Sequence, residues 1–265
     1  MWSSNIYRFR QPLWPGDAYD FNADPLQHTH KLPLEYTTPG PFGTKHSTAA
    51  ITTGSSVIGI RFDKGVMMAA DTLVSYGSLA RYQNMERIFM INNNILFGGC
   101  GDFADIQSII RGIEQKIVED QCNGDDIEMK PKALGQWMTR VLYDRRTQMN
   151  PLLVDVVLGG LDVQGKPYLA NVDLRGRSHD DFVIATGFAR HLTIPFIRSA
   201  KPKDRDFNMD EAHEMIKRSM QILYYRDTRN NSQYTLGVCS PKNCGIEGPY
   251  QVAENWSYAA GIKGY

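Results

Sequence analysis

The stretch TTGSSVIGIRFDKGVMMAAD, from Thr52 to Asp71, constrains the fold more than any other part of the chain. Two apolar runs, SSVIGIRF and GVMMAAD, flank DKG. Runs of that kind on either side of a glycine-containing turn predict an antiparallel β-hairpin. RIFMI and ILFGG flank NNN in the same way. Two hairpins in succession predict an antiparallel sheet.

The periodicity then changes. In GDFADIQSIIRGIEQKIVED, Ile106, Ile110, Ile113 and Ile117 fall on one helical face. In KPKALGQWMTRVLYDRR the same holds for Leu134, Trp137, Met138, Val141 and Leu142. CNGDD separates these helices, and Pro151 disfavours helix at Asn150. LLVDVVLGGLD, PYLANVD and DFVIATG read as strands, followed by a helical piece, ARHLTIPFIR, interrupted at Pro195. A last helix begins near NMDE, where Asn208 and Glu211 have capping-box spacing. Its buried side carries Ala212, Met215, Ile216, Met220 and Leu223, and QYTLGVCS and CGIEGPYQV close the chain as strands. Two antiparallel sheets between two helical layers would bury the apolar faces of all these elements. The predicted class is α+β, a four-layer αββα sandwich.

Residues 1–46 differ from the rest. They hold six of the thirteen prolines and no sustained period, which predicts an extended leader ahead of a domain over 47–265. His28 and His30 lack a third ligand nearby, and Cys239 and Cys244 supply only half of a metal site. Cys100 and Cys122 complete a set of four, too few for a disulfide scaffold, so free thiols in a reducing compartment are expected. Neither a signal peptide nor a run long enough to span a membrane is present in the pattern. Lys and Arg balance Asp and Glu at 29 each, which gives no field to draw in nucleic acid or anionic lipid. Near-zero net charge suits a chain that works inside an assembly. GGCGD lacks the Lys-Ser/Thr of a phosphate loop, and no cofactor or metal motif occurs.

The element order, together with GSS…GVMMAAD, resembles the N-terminal-nucleophile hydrolases. SYGSLAR, YDRRTQMNP, LYYRD and IEGP narrow the resemblance to proteasome β subunits, closest to the non-catalytic member at the seventh ring position. In active members a threonine hydroxyl attacks the peptide carbonyl, and its own freed α-amine serves as base through water. A lysine lowers the nucleophile's pKa, an aspartate orients that lysine, and a glycine N–H forms the oxyanion hole. Alignment on Gly65-Val66 places Ser55 at the nucleophile, with Gly54 before it. Asp71 falls at the aspartate, Gly101 at the oxyanion glycine and Asp227 at the second aspartate. Arg87 stands where lysine is required, and a permanently charged guanidinium does not replace a compact ammonium as proton partner. Phe188 and Asn230 replace two serines. The resemblance implies seven vestigial positions and no catalysis; Asp71 and Arg87 are expected to form an ion pair.

By the same resemblance the leader is removed between His46 and Ser47, upstream of Ser55. The chain's partners are other proteasome α and β subunits, in cytoplasm and nucleus, in ATP- and ubiquitin-dependent protein degradation. A tail from about residue 249, with Tyr250, Trp256, Tyr258 and Tyr265, reaches the opposite β ring. Its aromatic content and two charges, Glu254 and Lys263, are unlike a disordered tail and suit an interface anchor. Two alternatives remain open on the residues: an active threonine-type peptidase subunit that uses Ser55, and a free-standing amidohydrolase of the same fold.

Overall fold

Side-chain alternation along the first hairpin sends residues into two different cores. In β2 (Val57–Phe62) and β3 (Gly65–Asp71), every residue except Arg61 is buried. Ile58, Ile60, Phe62, Met67 and Ala69 enter one apolar cluster. Val57, Val66, Met68 and Ala70 enter another. A strand places successive side chains on opposite faces, so this sheet is covered on both sides. The computed structural model describes residues 49–122, 124, 128–259 and 261, all within the unit that runs from residue 47 to residue 265. The leader, its histidines, the His46–Ser47 boundary, Tyr265 and the side chain of Tyr258 lie outside the described residues.

The remaining strands are β1 (Thr52–Gly54), β4 (Val74–Tyr76), β5 (Leu79–Tyr82), β6 (Ile88–Asn92), β7 (Ile95–Asp102), β8 (Val154–Leu161), β9 (Pro167–Val172), β10 (Ser178–Asp180), β11 (Val183–Ala185), β12 (Gln233–Cys239) and β13 (Cys244–Gln251). One sheet has the order β11-β2-β3-β12-β13. The other runs β10-β9-β8-β7-β1-β4-β5, with β6 also on β7. All named pairings are antiparallel, as expected.

Helices α1 (Phe103–Cys122) and α2 (Pro131–Thr147) cover the larger sheet. Ile106, Ile110 and Ile113 of α1 pack with Leu134, Met138 and Leu142 of α2 and with Ile95, Phe97, Val156 and Leu158 of the strands. Ile117, Trp137 and Val141, expected on these faces, are only half-buried. Two short helices, α3 (Ala189–Leu192) and α4 (Ile194–Ala200), and the long α5 (Met209–Arg226) cover the smaller sheet. The break between α3 and α4 falls at Thr193. Pro195 takes an early position in α4, where its missing N–H has no partner to lose. The Glu211 carboxylate accepts the Asn208 N–H at 2.9 Å, the reciprocal half of the expected capping box. The architecture is the four-layer αββα sandwich.

Besides the short strands β1, β4, β5 and β10, which the sequence pattern did not mark, two boundaries differ from expectation. Ser55 and Ser56 are not in a strand; the chain crosses there from β1 in the larger sheet to β2 in the smaller one. The tail starts later than residue 249, because β13 pairs with β12 as far as Gln251 and Val252 is buried.

The layer between the sheets is closely spaced because glycine lines it. A Cβ on Gly98 would sit 2.7 Å from Val57 Cγ1 and 2.9 Å from Met68 Cε. A Cβ on Gly59 would sit 2.8 Å from Leu169 Cδ1. Gly98→Val should therefore overpack this layer and cost about 1–3 kcal/mol, measured as a lower urea midpoint. An unchanged midpoint would mean that the sheets separate freely at this seam.

Candidate functional site

The chain crosses between the sheets a second time at Thr72–Leu73, between β3 and β4. Arg87, just before β6, joins these two crossings. It is wholly buried, and its Nη1 donates to the Asp71 carboxylate and, at 3.4 Å, to the Asp71 carbonyl. Its Nη2 donates to the carbonyls of Ser55, of Ser56 at 3.3 Å and of Gly99 at 3.3 Å. The expected Asp71–Arg87 pair is thus present and buried. Five acceptors on three stretches of chain converge on one guanidinium, whose planar fork of donors suits several at once. Its Nε makes no hydrogen bond and lies against Gly54, where a Cβ would stand 2.5 Å away. A side chain at position 54 would therefore displace Arg87.

Ser55 is half-buried, and its hydroxyl donates to Asp227 Oδ2. Asp227 follows α5 and is 4 % exposed; its Oδ1 accepts the Arg229 N–H at 2.9 Å. Gly101 is the register partner of Gly54. Its φ of 107° and the Leu153 carbonyl beside it leave no room for a Cβ, so glycine is required there for backbone reasons. The structure therefore brings Ser55, Asp71, Arg87, Gly101 and Asp227 together.

Of the two residues that replace serines, Phe188 is 58 % exposed at the start of α3. Ser56 Oγ, 133 positions away, accepts the Ala189 N–H at 3.0 Å and fixes the start of the helix, leaving residue 188 outward. Asn230 turns upon its own loop, with its Oδ1 accepting the Asn231 N–H at 2.7 Å and its buried Nδ2 unpaired. Two residues missed in the sequence complete the arrangement. Ser56 anchors α3, and Thr186 Oγ1 accepts the Val57 N–H at 2.9 Å. The adjacent hydroxyl in GSS and the threonine in ATGFA were their only signals.

The chain ahead of Ser55 is part of the sheet. Gly54 pairs with both Val74 and Gly101, and Thr53 with both Ser75 and Asp102. The Ile51 N–H donates to Asp102 Oδ2 at 3.0 Å, and Arg229 Nη1 donates to Thr53 Oγ1 at 3.1 Å. Chemically, a guanidinium offers only donors and no acceptor for the Ser55 proton. Burial pushes the Asp71 carboxyl up to about 6, against the pull of Arg87. Burial also raises the Cys100 thiol and the Asp155 carboxyl nearby. A cavity of about 350 Å³, lined by Arg61, Lys132, Lys166 and His179 among others, contains none of the site residues. No cluster of metal-ligating side chains occurs among the described residues, and no described helix is long and apolar enough to cross a membrane.

Two antiparallel sheets between helical layers, with a hydroxyl residue where the first strand passes from one sheet to the other, define the N-terminal-nucleophile hydrolase architecture. Within it, the profile of the family described as "Proteasome subunit" matches residues 51–239. The chain is 64 % identical to "Proteasome subunit beta type-4" of Drosophila melanogaster, over 99 % of each chain. It is 38 % identical to the protein of that name in Xenopus laevis, over 86 % of this chain and 93 % of the relative. It is 34 % identical to "Proteasome subunit beta type-7" of Saccharomyces cerevisiae, over 81 % and 84 %. The chain belongs to the proteasome subunit family, as a β subunit.

Two outcomes follow from the buried pair. Arg87→Ala leaves the Asp71 carboxylate without its counter-ion and should cost about 3–5 kcal/mol of stability, read as a lower denaturation midpoint; a shift near zero would mean that water reaches the pair. The Asp71 proton is held more tightly in the folded chain than at the ordinary value of 3.8, so its favourable contribution is complete below 3.8 and is lost as pH rises through about 6. Asp71→Asn should remove that downward slope from the pH–stability profile between those values. Parallel profiles would contradict a low-dielectric environment at Asp71.

Proposed function

We propose that the chain is a non-catalytic, structural β subunit of the proteasome core particle, at the seventh position of the β ring. The observation that carries this reading is Arg87. A fully buried guanidinium occupies the place of the catalytic lysine and holds the Ser55 carbonyl. Strand β1 supports it from the other side. For Ser55 to gain a free α-amine, residues 52–54 would have to leave a strand paired along both edges. A terminus near Ser47, with the proline-rich leader cut away by a neighbouring subunit, keeps that strand intact. The partners are then other α and β subunits of the particle, in cytoplasm and nucleus.

The second reading, an active subunit that uses Ser55, draws on the retained Ser55–Asp227 hydrogen bond. One experiment separates the two. Assembled particles are treated with an epoxyketone, which requires both the hydroxyl and the free amine of a terminal nucleophile, and the mature N-terminus is sequenced. The structural role predicts an unmodified Ser55 and a start within a residue or two of Ser47. An adduct on Ser55, with Ser55 as the terminal residue, would establish the catalytic role.

In the same reading the tail joins the two β rings, with its gripping part beyond Trp256. Tyr250 stacks on Tyr234 at 5.7 Å and donates to Glu247 at 2.7 Å. Trp256 meets Tyr225 edge-on at 5.0 Å, and Asn255 bonds the Tyr225 hydroxyl. These anchors serve the chain's own α5 and β12. Removing residues 257–265 should leave the domain folded and cause half-particles to accumulate on native gels. A normal ratio of half to full particles would exclude the clamp.

A further inference from the structure

Cys239 ends β12, Cys244 begins β13, and the two are register partners across the hairpin. Ser240 and Asn243 exchange both backbone hydrogen bonds, at 2.9 and 3.2 Å. Hydrogen-bonded and non-hydrogen-bonded pairs alternate along an antiparallel ladder, so the next pair, Cys239 and Cys244, is non-hydrogen-bonded. Such pairs hold their Cα atoms about 4.5 Å apart, with side chains closest together on one face. Disulfides span Cα separations of about 4.4–6.8 Å. Both thiols border the layer between the sheets and lie within hydrogen-bonding reach of each other. Neither takes part in the site around Arg87.

We propose that Cys239 and Cys244 are a redox-active dithiol, closed into a cross-strand disulfide by a small-molecule disulfide of the glutathione type. Access sets the order of events. Cys239 is fully buried and Cys244 half-buried, so Cys244 meets the oxidant first. The hydrogen bond between them lowers the Cys244 pKa and raises that of Cys239, which favours the thiolate on the accessible partner. The Cys244 thiolate attacks one sulfur of the oxidant, forms a mixed disulfide and expels one thiolate. Cys239 then attacks Cys244 Sγ, and its proton passes to the departing second thiol. The protein loses two protons and two electrons, and the oxidant becomes two thiols.

The short Cα separation lies at the lower end of what a disulfide accepts, which makes the bond strained and readily reduced. It is a reversible clip rather than a permanent brace. Its position gives it a consequence. β13 is the edge strand of the smaller sheet and leads straight to Val252 and the tail. Closing the bond pins the first residue of that strand to β12. The other two cysteines have no such arrangement: Cys100 faces Asp155 in register, and Cys122 is exposed at the end of α1.

The full chain, in the assembly with which it is purified, is incubated with glutathione disulfide, quenched in acid, alkylated and digested with trypsin. Cleavage after Lys242 turns the proposed bond into two peptides joined by one disulfide. The expected result is that linked pair, lighter by two hydrogens, with no glutathione on either cysteine, while the exposed Cys122 carries glutathione. Cys239→Ser should trap glutathione on Cys244, and Cys244→Ser should leave Cys239 a free thiol. Glutathione persisting on Cys244 of the unsubstituted chain overturns the proposal. So does alkylation of both thiols to the extent seen without oxidant. These readouts on the unsubstituted chain decide the matter even if a variant fails to assemble.

Discussion

The buried guanidinium of Arg87 holds together two of the places where the chain passes from one sheet to the other. These crossings, Ser55–Ser56 and Thr72–Leu73, occur beside it. Chain leaving a sheet loses its ladder partners, and an unpaired buried carbonyl is costly. Arg87 supplies donors to the carbonyls of Ser55, Ser56, Asp71 and Gly99. The Asp71 carboxylate balances its charge. A compact ammonium offers three donors from a single point, whereas the guanidinium spreads five across a plane. Arginine at position 87 thus provides a broader structural tie than lysine would.

The surrounding features accommodate that tie. Gly54 leaves space for the arginine, and Gly101 lets β7 bend past the Leu153 carbonyl. Asp227, itself buried, accepts the Ser55 hydroxyl and ties the crossing to the end of α5. Ser56 and Thr186 bind the start of α3 and the end of β11 to the same short stretch of chain. Strand β1 gains ladder partners on both edges, so the residues before Ser55 contribute to the sheet rather than hang from it. The carbonyls freed where the chain leaves the sheet thus find donors in Arg87.

Local patterning explains how far the fold can be read from residues alone. The apolar runs VIGIRF and GVMMAAD on either side of DKG mark the first hairpin, and spacing of three and four among the isoleucines marks α1. Asn208 and Glu211 mark the start of α5, and the Glu211 contact occurs as expected. Each signal lies within one turn or one hairpin, where neighbours in sequence are neighbours in space. The same reading missed β1, β4, β5 and β10, strands of three or four residues that are too short to show a period. It also began β2 two residues early, because the serines that leave the sheet look like the polar start of a strand.

The sequence by itself determined the long helices and the longer strands and the layered αββα class, and the resemblance its motifs carry pointed to Ser55, Asp71, Arg87, Gly101 and Asp227. Only the tertiary structure decided what those residues do. The contact from Arg87 to the Ser55 carbonyl joins positions 32 apart, and the one from Ser55 to Asp227 joins positions 172 apart. Phe188 is exposed because Ser56, far away in the chain, fixes the helix that follows it. Cys239 and Cys244 face each other because the turn at Ser240–Asn243 sets their register. Periodicity records which side of an element is apolar. It carries no record of which donors meet which acceptors when two sheets close on each other, since that is decided by packing among residues remote in the chain.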